Sequence, residues 1–169
     1  MYGPLQTLEV TIRNTVHDVM SESHGARWFD NPNLLRAAEQ RMVGDATQHL
    51  YTMGKQPTPG KVVAELSYGF WVGLFANVYD ATLWRSDLVG IFTPRVKGRR
   101  GLHESLDRLR TLRNRIAHHE PIFQRRLVED HTRLRTIVGF LSGPTLQWLD
   151  HHTTVPDVLS TRPERLASF

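Results

Sequence analysis

The chain has 169 residues, 40% of them hydrophobic, enough for one domain with its own core and too apolar for a chain disordered throughout. It contains no cysteine, which excludes disulfides and thiolate chemistry and fits a reducing compartment. The formal net charge of +4 is uneven: residues 95–135 hold twelve Lys/Arg against five Asp/Glu, a local +7 that suits a polyanion, or more plainly a solvated helix face, while the remainder sums to −3.

Taken in chain order, the pattern is helical. Met1 is followed by Tyr-Gly-Pro-Leu-Gln rather than a basic segment and an apolar run, so no signal peptide is read. Leu5, Leu8, Ile12, Val16, Val19 and Met20 recur at helical spacing and predict a first helix over 4–23, broken by Gly25. Asn31 and Pro32 supply an N-cap and a first-turn proline for a second helix over 32–52. Thr58 and Pro59 open a third in the same way. Its Val62, Val63, Leu66, Phe70, Trp71, Leu74 and Phe75 cover most of the circumference, the mark of a central helix, and Glu65 within it needs a partner if buried.

The apolar stretch at 69–79 is too short to span a bilayer, so no membrane and a cytoplasmic location are expected. Residues 80–94 read as a short helix and loop, with a strand as the local alternative at 89–92, and 97–101 as a basic loop. Leu102, Leu106, Leu109, Leu112 and Ile116 form the stripe of a fourth helix; 127–141 predicts a fifth and 144–151 a sixth. The expectation is an all-α bundle of five to six helices in a single domain over 1–153, with a loosely packed, proline-bearing tail over 154–169.

The segment from Arg113 to Pro121 carries the chemistry. Asn114 and His118 are four residues apart and share a helix face, whereas Arg113 and His118 lie about 140° apart around the axis. Pro121 disfavours helix at Glu120, so the helix should end around 118–120, freeing His118 to swing toward Arg113 or toward a neighbouring chain. Arg113 falls inside the apolar arc of its helix, where a permanently charged guanidinium must snorkel, pair with an acid (Glu9 or Glu65) or face a ligand. RNA brings its own nucleophile, the 2′-hydroxyl. Its cleavage needs an acid or base, which His118 can supply, and a cation for the charge on phosphorus, which Arg113 can supply. Asn114 can orient the imidazole, and His119 or a second copy of His118 can be the second acid–base group. Arg99, Arg100, Arg110 and Arg115 are the candidate phosphate-binding residues. Neither His118-His119 nor His151-His152 is a ready chelate, since adjacent helical side chains diverge by about 100°, so no metal site is expected.

Arg113-Asn114, followed after three residues by His118, resembles the Arg…His motif of HEPN-domain ribonucleases. The longer string from Leu112 to Phe123 resembles the Abi-like (abortive-infection) branch of that superfamily. So do Glu65-Leu66-Ser67-Tyr68-Gly69-Phe70-Trp71 and the pair of segments Leu8-Glu9-Val10-Thr11-Ile12-Arg13-Asn14 and Arg27-Trp28-Phe29. The resemblance implies a helical bundle, usually homodimeric, with paired motifs lining a cleft. It implies a metal-independent endoribonuclease, without cofactor, acting as a toxin or phage-defence effector held in check by an antitoxin or a guide RNA. It carries Arg113, Asn114 and His118 over as catalytic, with His119 and Glu120 as supporting residues. Glu120 stands where related toxins carry a tyrosine that a nucleotidyltransferase partner modifies, so that modification is not implied. Arg13-Asn14-Thr15-Val16-His17 is a shorter echo of the motif, and Glu9 and Arg13 form an i, i+4 pair that reads as a salt bridge or as support for Arg113. The alternative function is a non-catalytic RNA- or protein-binding module with the same fold.

Overall fold

Apolar residues at helical spacing draw the start of the chain into one long helix, α1 (Tyr2–His24), whose Leu5, Leu8, Ile12, Val16 and Met20 are completely buried. The computed structural model describes residues 1–93, 96 and 98–161 and is all-α, with no strand among the described residues. After α1 come α2 (Ala37–Thr52), α3 (Pro59–Glu65), α4 (Tyr68–Gly73), α5 (Arg99–Ala117), α6 (Leu127–Leu141), α7 (Gly143–His152) and α8 (Val155–Ser160). Short 3-10 turns at Trp28–Asp30, Asn77–Tyr79 and Leu88–Ile91 and a π turn at Asp80–Trp84 fill the connections. Pro94, Arg95 and Lys97 of the basic region, and residues 162–169 of the tail, lie outside the described residues. Among the described residues no helix is long and apolar enough to cross a membrane.

Two elements differ from the sequence expectation. The second helix starts at Ala37, not Pro32, because Asn31 bends the chain into an Asx turn: its Oδ1 accepts the N–H of Asn33 at 3.0 Å. Gln40 then closes that turn by donating to the carbonyls of Pro32 and Leu35. The third helix is two helices, broken where Leu66 and Ser67 are extended (ψ 131° and 159°). The break lets Val62, Leu66, Phe70 and Trp71 all be buried, which one straight helix achieves only at the centre of a bundle. That centre belongs to α1, which touches α4, α5, α6 and α7. Residues 80–91 follow the short helix and loop expected of them, as a π turn and a 3-10 turn, and not the strand alternative.

Trp28 meets Phe29, Phe70 and Trp71 with ring centroids 5.8–6.3 Å apart, and Phe70 meets Trp71 edge-on at 5.0 Å. Edge contacts of this kind add about 0.5–1.5 kcal/mol each beyond area burial, so this cluster fixes α4 against α1 and the Trp28 turn. The Trp28 indole N–H donates to His17 Nδ1 at 3.1 Å, which ties the turn to α1. At the far end of the chain, Val155 is buried and α8 rests on α6, so the start of the predicted tail is packed.

Candidate functional site

Arg113 and Glu9 meet between α5 and α1. Arg113 donates Nε–H to Glu9 Oε2 at 3.2 Å, and its side chain stays 33% exposed. Of the fates open to a guanidinium in an apolar arc, it takes the acid, and the acid is Glu9. A half-exposed pair of this kind is worth about 1 kcal/mol or less, little enough for an incoming phosphate to compete with it. The pair opens into a small cleft of about 130 Å³ lined by Tyr2, Gln6, Glu9, Val10, Arg13 and Arg113. Glu9 turns to Arg113 rather than to Arg13, and Arg13 Nε donates to its neighbour Asn14 at 3.3 Å, so the expected Glu9–Arg13 bridge gives way. Two arginines against one carboxylate leave the cleft with a local excess of positive charge.

Tyr68 stands at the first turn of α4. Its hydroxyl is buried without a hydrogen-bond partner among the described residues. Burial, then the negative charge of Glu9, pushes its ionisation well above the ordinary tyrosine range, with Arg110 opposing. Nothing in the residue pattern separated Tyr68 from the core aromatics.

The end of α5 is built by its own backbone. The N–H of His119 reaches the carbonyl of Ile116 at 3.1 Å, and that of Glu120 reaches Arg115 at 2.8 Å. These two bonds are the paired bonds of a Schellman motif, with His118 as C-cap and His119 in the left-handed region at φ 56°. The same motif ends α2, where Gly54 takes the left-handed position at φ 68°. At α5 a histidine does so, at a steric cost that glycine avoids. Arg115 Nε and Glu120 Oε2, 3.4 Å apart, clip the turn from outside. Pro121 follows, where helix cannot continue. His118, His119 and Glu120 are exposed, and Asn114, half-buried, accepts the His118 N–H on its carbonyl at 2.9 Å.

Within one chain the structure therefore joins Arg113, Glu9 and Arg13, and does not bring His118, His119 or Glu120 into the cleft they line. His118 lies five residues beyond Arg113, about 7.5 Å further along the axis.

The remaining candidates separate clearly. Glu65 is exposed and sits 3.4 Å from His49, in a different depression between α2 and α3, so it does not support Arg113. Arg99 is not free for phosphate. It is only 10% exposed and is spent on Asp80 Oδ1, the Phe75 carbonyl and Asn77 Oδ1, staples that pin the start of α5. Arg100, 88% exposed, pairs loosely with Glu104. Arg110 holds Asp107, and Arg115 the Glu120 turn.

A cluster that sequence reading missed secures the loop after His118. Asp130, at the first turn of α6, is fully buried and receives Arg108 at 2.9 Å, Arg125 at 3.0 Å and Arg133 at 3.4 Å. Arg125 also donates to the Arg108 carbonyl, which draws the 118–126 loop down onto α5. Only Arg133, three residues along the same helix, was a local hint.

Among the described residues no group of three or more His, Asp or Glu is arranged to hold a metal ion. His151 and His152 lie edge to face at 4.8 Å. Compared with known proteins, the chain matches no family model, no curated protein and no solved structure.

Proposed function

We propose that this chain is a metal-independent endoribonuclease akin to the Abi-like branch of the HEPN superfamily, working as a homodimer on cytoplasmic RNA in a toxin or phage-defence role. One observation carries the reading. Two of the segments that resemble that branch are about a hundred residues apart in sequence, yet both contribute to one place: Glu9 and Arg13 from α1 and Arg113 from α5. A guanidinium that is cationic, reachable and weakly held by its carboxylate is the group that cleavage of a phosphodiester needs.

In the proposed reaction the 2′-oxygen attacks the adjacent phosphorus as its proton passes to His118, and the P–O5′ bond breaks. The 5′-oxygen takes a proton from water. The products are a 2′,3′-cyclic phosphate and a 5′-hydroxyl. Arg113 leaves Glu9 for the phosphoryl oxygens as charge builds there, and Asn114 holds the strand or the imidazole. Because His118 stands outside the Arg113 cleft of its own chain, the site is completed across a twofold axis, where α5 of one copy brings its end to the cleft of the other.

The test is cleavage of single-stranded RNA by purified protein in EDTA. The parent is expected to cleave, with His118→Ala and Arg113→Ala each slower by about a hundredfold or more. A parent that binds RNA with a steep salt dependence but never cuts it is the non-catalytic binding module, the second reading, which the separation of His118 from the cleft favours.

A further inference from the structure

We infer that the groove between α1 and α7 is a nucleobase-stacking subsite, in which Trp148 receives a base of the strand whose phosphate meets Arg113; this rests on the ribonuclease reading above. Of the chain's four tryptophans, Trp28, Trp71 and Trp84 are buried, whereas Trp148 is 57% exposed. An indole left more than half in water offers a large apolar surface to a ligand. Here the His152 ring, tilted at 44° with centroids 4.8 Å apart, braces it on the surface of α7.

The groove it borders holds about 630 Å³, within the range of sites that enclose small organic ligands. Its lining chemistry is neutral. Gln6, Thr11, Asn14 and Thr145 bring amides and hydroxyls, the donors and acceptors that read the edges of an unstacked base, and among the described residues no carboxylate lines it to repel a polyanion.

Position decides the occupant. Gln6 and Val10 line both this groove and the Arg113 cleft, so the two open on neighbouring faces of α1 that meet at these residues. A strand whose phosphate lies at Arg113 and Arg13 has the indole beside its next base. Single-stranded RNA is bound in this manner, through cations on the backbone and aromatic faces under the bases.

The probe is a 2′-O-methyl hexanucleotide, which binds without being cut, titrated against the parent, Trp148→Ala and Trp148→Phe by polarisation and tryptophan emission. The parent should bind with quenching of its one exposed indole. Trp148→Ala should weaken binding about tenfold, Trp148→Phe should restore most of it, and an abasic oligomer of equal length should not distinguish parent from Trp148→Ala. Equal binding of the hexanucleotide by parent and Trp148→Ala overturns the subsite while leaving the ribonuclease reading intact. A Trp148→Ala protein that becomes monomeric in sedimentation shows the groove to be an interface between copies and overturns it as well. Failure of the parent to bind any oligomer removes the ribonuclease reading and the subsite with it.

Discussion

Three guanidinium groups converge on Asp130, which has no exposure to water. A carboxylate so placed is tolerable only because it is fully paired, and removing it leaves three arginines facing one another. Asp130→Ala is expected to lower the stability to urea by about 3 kcal/mol, the low end for a broken buried pair because the arginines keep some water. A loss under about 1 kcal/mol would show the cluster to be incidental. Asp130 was illegible in the sequence because its partners come from 22 residues upstream, from the preceding loop and from its own helix, and only folding brings them together. Arg113 was legible, because a permanent charge inside an apolar stripe demands an explanation wherever it lies. Its partner was only half legible: Glu9 and Glu65 were equal choices until the break at Leu66 and Ser67 turned Glu65 toward His49. Arg99 had the composition of a phosphate ligand and proved to be a staple, since charge alone does not tell which acids fold next to it.

At the scale of elements, the end of α5 offers a direct test of how the two histidines divide their work. His119 holds a left-handed backbone that costs a non-glycine residue about 1–2 kcal/mol. His119→Gly is therefore expected to raise stability by about 1 kcal/mol and to keep most RNA cleavage, whereas His118→Ala abolishes cleavage and leaves stability almost unchanged. A cleavage defect as severe in His119→Gly as in His118→Ala would make His119 an acid–base group rather than a turn residue. Long helices with one apolar stripe were readable to within a few residues: α5 and α6 follow their leucines, and Pro121 marked where α5 had to end. The third helix was not, because apolar residues on every side carry no information about where a helix bends. The start of α2 was missed because Asn31 serves an Asx turn as well as it serves a helix cap.

At the scale of the whole molecule, burial holds His17, His103 and His131 below the ordinary histidine range, in each case as the leading cause. The unfolded chain then binds more protons than the folded one once pH falls toward about 6.5, so stability should drop as pH goes from 7.5 to 5.5 and stay flat above. His131 is the most exacting of the three, since its Nε2 is buried with no partner among the described residues. Thermal melts should show His131→Phe flattening part of this slope; an unchanged slope would assign it elsewhere. A second loss is expected at lower pH, below about 4, where Asp80 and Asp150 are protonated. Arg99 holds Asp80, and Arg135 holds Asp150, below the usual carboxylate range.

The same scale decides the central claim, that the guanidinium and the imidazole meet across two copies of the chain. Arg113→Ala and His118→Ala, each inactive alone, are to be mixed, unfolded, refolded together and assayed on RNA in EDTA. Half of the dimers then carry one mutation on each chain, and a shared site leaves each of these with one intact cleft, so about a quarter of the parent activity should return. A mixture as inactive as its components, with exchange of subunits demonstrated, would contradict the account.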